Sequence, residues 1–274
     1  MFDVLPGTPI GELLRQPPID PLEARILVSH ALGLTRVQLI TRADQPCTED
    51  EALRLASLFR RRIAGEPIAY LVGEREFFGL MLHTTPDVLI PRPETELLVE
   101  LALQYLPQGG RVLDLGTGSG AIAIAIAHQR PDAQVTASDR STAALRIAAA
   151  NAARHHARVA FIESDWYAAI PPGAFELIVS NPPYIVAGDP HLSQGDLRHE
   201  PIDALTDHGD GLGALRQIVA GGAPRLAPGG RLLMEHGYDQ ASAVRALLQA
   251  AGFADVQSWQ DLAGIERVSG GRRI

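Results

Sequence analysis

The segment Val-Leu-Asp-Leu-Gly-Thr-Gly-Ser-Gly-Ala, residues 112–121, indicates the class of fold to which this chain belongs. Its apolar first half has the pattern of a buried strand, its glycines form a turn, and Ala121 opens a helical pattern. Glycines let the backbone approach a ligand closely, and the N-terminus of the next helix offers amide donors and a positive dipole. The segment therefore predicts a strand–turn–helix unit of an α/β protein, with a ligand at the turn.

The glycine spacing alone leaves the identity of that ligand open. Gly116-x-Gly118-x-x-Ala121 also fits the fingerprint of a dinucleotide-binding turn, and a plain tight turn would bind nothing. Asp139 closes the next apolar strand, where a carboxylate can accept both hydroxyls of a ribose. Its structural alternative is an acid that begins the following helix. Together the two features predict a nucleoside-bearing cofactor and leave NAD and S-adenosylmethionine as alternatives.

Asp114 helps to separate these two cofactors. It lies two residues before the first glycine, near the carboxyl end of the predicted strand. A carboxylate at this place suits the ammonium group of a methionine moiety and would repel a pyrophosphate by like charge. Asp114 therefore favours S-adenosylmethionine over NAD.

A second segment, Asn181-Pro182-Pro183-Tyr184, follows the apolar strand predicted at residues 177–180. Its prolines fix the backbone and remove amide donors that would compete for nearby carbonyl oxygens. The Asn181 amide oxygen and the Pro182 carbonyl can then accept both hydrogens of a planar NH2 group, while the Tyr184 ring packs against its π system. Such contacts push the nitrogen lone pair toward an electrophile. The segment favours methyl transfer to an NH2 group over a merely structural proline turn.

The rest of the chain predicts an α/β fold preceded by a helical region. Capping patterns at residues 20–23 and 48–51 open helices in a helical domain at residues 1–66. Residues 67–92 are predicted to be a hairpin linker, with extended segments at 76–80 and 88–90 around a turn at 84–87. Residues 93–274 alternate strands and helices, as in a parallel sheet. Strands are predicted at 111–115, 134–138, 159–162, 177–180, 231–235, 254–259 and 266–269.

Composition excludes several classes of function. All 24 basic residues are arginines, so Schiff-base chemistry, pyridoxal phosphate attachment and a phosphate-loop lysine are excluded. The net charge of −8 argues against holding nucleic acid by a basic face, and no DNA binding is expected. No apolar run is long enough to cross a membrane. The single cysteine, Cys47, has no ligand partners nearby, so we expect no metal site and a reducing, cytoplasmic compartment.

These motifs together resemble the HemK/PrmC family, which methylates the glutamine of the Gly-Gly-Gln motif in peptide-chain release factors. Asn-Pro-Pro-Tyr is shared with nucleic-acid methylases, whereas its combination with Pro-Arg-Pro-Glu-Thr-Glu at residues 91–96 is specific to this family. The resemblance extends over nearly the whole chain. It is carried by residues 73–77, 90–96, 114–125, 165–166, 181–184, 200–201, 210–212, 235–237 and 261–264.

The resemblance implies a Rossmann-like methyltransferase sheet of seven strands, a small helical N-terminal domain that recognises the substrate, and S-adenosylmethionine as cofactor. Asn181, Pro182 and Tyr184 are then expected to be catalytic. Residues 181–184 are expected to bind the substrate together with Arg92 and Glu94, although a structural ion pair at a helix start would also explain the latter two. Trp166 is expected near the adenine, with simple packing as its alternative. The expected cofactor-binding residues are Asp114, Gly116, Thr117, Gly118, Ser119, Gly120, Asp139, Trp166 and Asn181.

The function expected from this resemblance is methyl transfer to the side-chain amide nitrogen of a glutamine in class I release factors. Methylation of an exocyclic amine on DNA or RNA is the main alternative, because residues 181–184 would serve it equally well. An NAD-dependent oxidoreductase would leave those residues unexplained. A binding module without catalytic activity would require both the glycine turn and residues 181–184 to be inert.

Overall fold

A computed structural model describes residues 2–173 and 175–274 of the chain. It divides into two compact units, Met1–Glu74 and Arg75–Ile274. The sequence placed one boundary at residue 66 and another at residue 92. The division between the compact units follows residue 74, and residues 68–72 form a further helix of the first unit.

The first unit is helical, and local capping sets where its helices begin. Thr35 and Thr48 each form a capping box with a glutamine or glutamate three residues later. The Asp20 carboxylate accepts hydrogen bonds from the amides of Leu22 and Glu23 at the start of the second helix. Buried apolar side chains from several helices then form the core. The helices are α1 Ile10–Arg15, α2 Pro21–Leu32, α3 Arg36–Thr41, α4 Glu49–Ile63 and α5 Ile68–Val72.

A hairpin follows, but the predicted position of its turn is wrong. Strand β1, Glu74–Phe77, pairs with strand β2, Leu80–His83, through the two-residue turn Phe78-Gly79. Both turn residues have positive φ angles, 51° and 78°, as a tight hairpin of matching twist requires. The Glu76 carboxylate also accepts a hydrogen bond from the Gly79 amide at 2.6 Å. Residues 88–90, predicted to be the second strand, form no strand.

The remaining helices and strands alternate as the sequence predicted. The helices are α6 Glu96–Tyr105, α7 Ala121–Gln129, α8 Thr142–Arg154, α9 Ile202–Leu205, α10 Gly213–Gly222 and α11 Ala241–Ala250. The strands are β3 Arg111–Leu115, β4 Gln134–Asp139, β5 Val159–Glu163, β6 Phe175–Ser180, β7 Leu226–Glu235, β8 Ala254–Gln260 and β9 Glu266–Arg272. Several strands are longer than predicted, above all β7, which begins at Leu226 rather than at Arg231.

These strands form one mixed sheet of seven strands in the order β5-β4-β3-β6-β7-β9-β8. The five strands from β5 to β7 are parallel, and β9 runs antiparallel to both of its neighbours. The chain leaves β3 toward β4 and β5 and then returns to the other side of β3 as β6. Such a reversal opens a crevice at the carboxyl ends of the central strands, where α/β proteins bind ligands.

Alternate side chains of the central strands pack into two different cores. Val112 and Leu177 face a core with α6 and α7, while Leu113 and Ile178 face a core with α10 and α11. This two-residue alternation is the expected geometry of a strand covered on both faces. Rigid packing on both sides therefore fixes the strand ends that carry residues 116–121 and 181–184.

Candidate active site

A cavity of about 500 Å³ lies at the carboxyl ends of β3, β4 and β6. Of the residues that the sequence predicted for the site, six line it: Gly116, Gly118, Asp139, Trp166, Asn181 and Pro183. The two halves of the predicted site meet because β3 and β6 are neighbours, with Leu115 and Ser180 paired at their ends. The Ser180 hydroxyl also donates a hydrogen bond to the Leu115 carbonyl at 2.7 Å.

Asp139 forms the link between the glycine turn and the next strand. One oxygen of its carboxylate accepts the Gly118 amide and the other accepts the Ser141 amide, each at 2.9 Å. The amides of Gly116 and Thr117 both donate to the Ser138 carbonyl. Because each carboxylate oxygen has a further lone pair, Asp139 can still accept hydroxyl groups of a ligand in the cavity.

Asp114 and the turn residues Thr117, Ser119 and Gly120 are buried and do not line the cavity. The Thr117 hydroxyl donates to Oδ2 of Asp114 at 2.6 Å, while Oδ1 accepts no hydrogen bond at standard geometry from the described residues. Burial raises the pKa of Asp114 to about 7, although Thr117 and the Ala123 amide lower it. In this structure the Asp114 carboxyl supports the turn, and its predicted contact with an ammonium group stays a prediction.

Trp166 lines the cavity beside the glycine turn. A Cβ atom built on Gly116 would lie 3.6 Å from Cζ3 of the Trp166 ring, so the indole covers the glycine at contact distance. The Ser164 hydroxyl donates to the Trp166 carbonyl and accepts the Ala169 amide, which fixes the loop that carries the indole. The site thus has a flat aromatic wall next to Asp139.

Asn181 has its side-chain amide held from one side. Its Nδ2 donates a hydrogen bond to Oγ1 of Thr95 at 3.1 Å. Thr95 is almost fully buried and belongs to the segment at residues 91–96 that the sequence singled out. With its nitrogen engaged by Thr95, the Asn181 amide has its oxygen available to a hydrogen-bond donor in the cavity.

Tyr184 contacts a buried carboxyl behind this corner. Its hydroxyl donates to Oε1 of Glu235 at 3.4 Å. Burial raises the pKa of Glu235 to about 7; Thr95, Tyr184 and Arg267 lower it, and Glu94 raises it. Burial also raises the pKa of the Tyr184 hydroxyl above its ordinary value. The Tyr184 hydroxyl is thus directed at Glu235, and Tyr184 does not line the cavity, so the predicted contact of its ring with a substrate stays a prediction.

Gln240 anchors the backbone of the same corner. Its Nε2 donates to the carbonyls of Tyr184 and Gly211, at 3.0 and 3.2 Å, and its Oε1 accepts the Gly237 amide. One buried side chain thus connects residues 181–184 with two loops that follow later in the chain. Pro182, buried next to Asn181, does not line the cavity, whereas Pro183 does.

Arg92 and Glu94, predicted to bind the substrate, have different surroundings. Arg92 forms an ion pair with Glu200, whose side chain is fully buried and also accepts the Ile90 amide at 3.0 Å. Burial raises the pKa of Glu200, and Arg92 opposes that shift. Glu94 is exposed, and neither Arg92 nor Glu94 lines the cavity.

The outer wall of the cavity comes from the segment between β6 and α10. Asp203 in this segment forms an ion pair with Arg140 at 2.7 Å and a hydrogen bond with His208 at 2.6 Å, and all three side chains are exposed. The Asp207 carboxylate accepts the amides of Gly209, Gly211 and Gly213 and so folds the loop that leads into α10. Sequence reasoning assigned no role to Asp207.

Sequence reasoning also assigned no role to Thr95, Glu235 or Gln240. Thr95 and Glu235 lie in segments that carried the family resemblance. The sequence therefore pointed to these positions, but it did not predict which side chains they contact. For Gln240 no sequence signal was available, because its partners come from three separate loops. Among the described residues, no group of three or more His, Cys, Asp or Glu side chains is placed to hold a metal ion. None of the helices in the same residues has the length and apolar character needed to span a bilayer.

Two family models match the chain. The PrmC N-terminal domain matches residues 11–73, and the methyltransferase small domain matches residues 93–236. The second match contains the glycine turn, Asp139 and residues 181–184. The first match ends one residue before the end of the helical unit.

Curated relatives are similar over nearly their whole length. The release factor glutamine methyltransferase of Burkholderia pseudomallei is 62% identical, covering 96% of this chain and 95% of the relative. The protein of the same name from Bordetella pertussis is 56% identical, covering 96% and 99%.

The solved structure of the 16S rRNA N2 G1207 methyltransferase RsmC from T. thermophilus, in complex with AdoMet and guanosine, is similar with a TM-score of 0.56 and 22% identity. The similarity covers 73% of this chain and 50% of that one. At this identity it shows a shared methyltransferase fold.

Proposed function

The chain belongs to the family of release factor glutamine methyltransferases, and we propose that it methylates the glutamine of the Gly-Gly-Gln motif in class I release factors. The methyl group passes from S-adenosylmethionine to the side-chain amide nitrogen. The observation that carries this proposal is the arrangement of Asn181, whose amide is held by Thr95 at the edge of a cavity lined by Gly116, Gly118 and Asp139.

The cavity fits the cofactor in size and in polar groups. Asp139 retains lone pairs for the two hydroxyls of a ribose, and the amides of Gly118 and Ser141 hold it in place. The Trp166 ring offers a flat face next to it. The cofactor would supply an electrophilic methyl group on a sulfonium centre. For the buried Asp114, whose Oδ1 accepts no hydrogen bond at standard geometry from the described residues, we propose an electrostatic contribution to an ammonium group near the turn.

Asn181 and Pro182 would act on the substrate nitrogen. An amide nitrogen is a poor nucleophile because its lone pair is delocalised into the carbonyl. When the Asn181 oxygen and the Pro182 carbonyl accept both N–H hydrogens, the lone pair is directed at the methyl group. These acceptors also stabilise the positive charge that develops on nitrogen, which is a preference for the transition state. The Tyr184 ring would pack on the planar amide, with its hydroxyl turned to Glu235.

The remaining catalytic contribution is positioning. The contacts of Gln240, Ser180 and Thr95 fix the corner against two strand ends, so little reorganisation is needed when the substrate binds. Arg92 would hold the segment at residues 90–92 against Glu200 and so shape the entrance. We assign Glu94 to the outer rim of that entrance, because its side chain is exposed. The proton lost from nitrogen can pass to water.

The helical unit is proposed to recognise the release factor, with the reaction taking place in the cytoplasm, where release factors work. Nucleic-acid methylation is the second candidate, since an exocyclic amine could occupy the same acceptors. The net charge of −8 argues against it, because a nucleic acid would need a basic surface. No DNA partner is proposed.

One assay tests the function directly. Radiolabelled S-adenosylmethionine is offered with a class I release factor, with its Gly-Gly-Ala variant, and with tRNA, rRNA and DNA. Label should enter the release factor alone and be lost in the variant. Label in any nucleic acid, or equal label in the variant factor, would contradict the proposal.

A further inference from the structure

Thr95 lies in a continuous helical stretch, as the last residue of the short 3-10 helix Pro93–Thr95 that leads directly into α6. It immediately precedes α6, Glu96–Tyr105, and makes no side-chain hydrogen bond to the amides of that helix. N-terminal threonines ordinarily accept such a bond and stabilise the helix by doing so. The Thr95 hydroxyl instead accepts the Asn181 amide, 86 residues further along the chain, at 3.1 Å. The Thr95 hydroxyl is thus engaged in a long-range contact rather than in a helix cap.

The direction of this hydrogen bond is set by a third group. Thr95 lies against Glu235, close enough for its hydroxyl to lower the pKa of that carboxyl. An ionised carboxylate accepts hydrogen bonds and cannot donate them. The Tyr184 hydroxyl already donates to it. Oε2 of Glu235 is buried and accepts no hydrogen bond at standard geometry from the described residues, so above a pH of about 7 the ionised carboxylate attracts the Thr95 proton and leaves a lone pair of Oγ1 for Asn181.

A lone pair on Thr95 can pair only with the nitrogen end of the Asn181 amide. An amide has one donor end and one acceptor end, and the two have nearly the same shape. With an acceptor on the Thr95 side, the stable orientation is Nδ2 toward Thr95 and Oδ1 away from it. The chain of polar groups from Glu235 through Thr95 thus decides which end of the Asn181 amide is presented to the substrate.

We propose that Thr95 is a positioning residue that makes the site selective for glutamine over glutamate by fixing the orientation of the Asn181 amide. This inference rests on the proposed function and deepens it. The glutamine NH2 group donates hydrogens and fits the exposed Asn181 oxygen. A glutamate carboxylate at the same place would set its oxygens against that oxygen and the Pro182 carbonyl, so it is rejected.

The test compares Thr95→Val with Thr95→Ser. Valine keeps the shape and removes the hydroxyl, whereas serine keeps the hydroxyl and removes a methyl group. Because Thr95 does not cap α6, valine removes no helix-capping bond. Thr84→Val is the matched control: Thr84 is equally buried, and its hydroxyl donates to the Leu82 carbonyl, away from Asn181. Assays at about pH 8 keep Glu235 ionised.

Two experiments are made with each variant. The first measures kcat and KM with a release factor that carries Gly-Gly-Gln. The second measures the inhibition constant of the same factor with Gly-Gly-Glu. Thr95→Val should lower kcat by about tenfold, the scale of one lost orienting hydrogen bond, with KM for S-adenosylmethionine little changed. In this variant the Asn181 amide can turn its NH2 group to the substrate, so the Gly-Gly-Glu factor should inhibit roughly tenfold better. Thr95→Ser should have a kcat and an inhibition constant within about threefold of the wild-type values.

The proposal is overturned if Thr95→Val has the same kcat and inhibition constant as Thr84→Val, or if serine is as defective as valine. If Thr95→Val does not fold, Glu235→Gln provides the same test, because its amide can donate to Thr95 and release the constraint on the Asn181 orientation. It should also improve inhibition by the Gly-Gly-Glu factor, and unchanged inhibition would contradict the proposal. Failure of the wild-type enzyme to methylate Gly-Gly-Gln would instead refute the proposed function.

Discussion

Asp139 accepts a hydrogen bond from the backbone amide of Gly118 through Oδ2, at 2.9 Å. The acid at the end of β4 thus holds the turn that follows β3, in addition to lining the cavity. A carboxylate that binds both a backbone amide and a ligand hydroxyl aligns the two, because each bond restricts its rotation. This side of the cavity is therefore organised without a ligand.

Replacing Asp139 with alanine should weaken S-adenosylmethionine binding by about 1–3 kcal/mol, the scale of losing charge-assisted hydrogen bonds. Asp139→Asn should weaken it less, since one amide acceptor remains for Gly118 or Ser141. Calorimetry with Asp255→Ala as control gives the comparison, because Asp255 is paired with Arg272 on a distant edge strand. Unchanged affinity in Asp139→Ala would exclude this residue from the cofactor site.

Asn181→Ala should lower kcat by roughly 100-fold, on the scale of removing one oriented transition-state partner. Affinity for the release factor should change little, because the lost bond strengthens only as the nitrogen gains positive charge. Single-turnover kinetics and a separate binding titration distinguish the two effects. A near-normal kcat would mean that residues 181–184 are structural.

Tyr184→Phe should be a mild variant, while Tyr184→Ala should lose most of its activity. The hydroxyl is directed at Glu235, so its removal leaves the ring available to the substrate. Steady-state kinetics of the two variants are sufficient to compare them. Equal losses in both would show that the hydroxyl, rather than the ring face, acts on the substrate.

Gly211→Ala should displace the Tyr184 corner. A Cβ atom on Gly211 would lie 2.4 Å from the Tyr184 carbonyl oxygen and 2.9 Å from Nε2 of Gln240. We expect a lower melting temperature and a kcat reduced by about tenfold or more, since misplacement by an ångström is costly. Gly188→Ala is the matched control, with a similar φ of +78° but nothing within 4 Å of the added carbon. If both variants behave alike, backbone strain rather than the collision explains the loss.

Asp114 and Glu235 should each contribute a free energy of unfolding that falls as the pH rises from about 5 to 8. Burial raises the pKa values of Asp114 and Glu235 to about 7, from 3.8 and 4.5. The folded chain thus holds these protons more tightly, and the resulting stabilisation is lost as the pH passes through about 7. Exposed acids such as Asp210, whose pKa Arg216 lowers, stay ionised throughout this range.

Urea unfolding of the apo-protein at several pH values measures this slope. Glu235→Gln should flatten it, by on the order of 2 kcal/mol between pH 5 and 8, because the amide does not ionise. Glu163→Gln, at an exposed acid with no role in the site, should leave the slope as it is. A slope that is the same in wild type and Glu235→Gln would show that Glu235 titrates at its ordinary pKa.

Deleting residues 1–73 should leave cofactor binding intact and lower kcat/KM for the release factor. All residues that line the cavity belong to the second unit. Remote contacts with a protein substrate contribute to holding its reacting nitrogen in line, and the helical unit is proposed to supply them. Calorimetry with S-adenosylmethionine serves as the folding control. Equal kcat/KM in the truncated and full-length proteins would assign the helical unit a different task.

Much of the fold follows from local patterns. The strands lie where the apolar periodicity placed them, and the capping patterns at residues 20–23 and 48–51 mark the starts of α2 and α4 within one residue. Residues 121–127 alternate Ala and Ile, a period typical of a strand, yet they form the buried helix α7. The helix was predicted correctly from the position of these residues after the glycine turn. Its lack of a polar face is explained by burial, since a helix that is buried on all sides needs none.

The sequence misplaced the hairpin for a physical reason. Thr84-Thr85-Pro86-Asp87 has good turn residues, and these were favoured over Phe78-Gly79. The actual turn needs positive φ at both positions, which a phenylalanine rarely adopts. Pairing of β1 with β2 and the bond from the Gly79 amide to Glu76 stabilise it there.

By itself the sequence determined the kind of site: a glycine turn after one strand, an acid after the next, and an Asn-Pro-Pro-Tyr corner after a third. These are local features, set by the backbone preferences of glycine and proline and by the pattern of buried strands. Only the tertiary structure decided which polar groups meet. Thr95 reaches Asn181 across 86 residues, and Arg92 reaches Glu200 across 108. Such pairs depend on the order of strands in the sheet, which places β3 beside β6 and so joins groups that no local pattern connects.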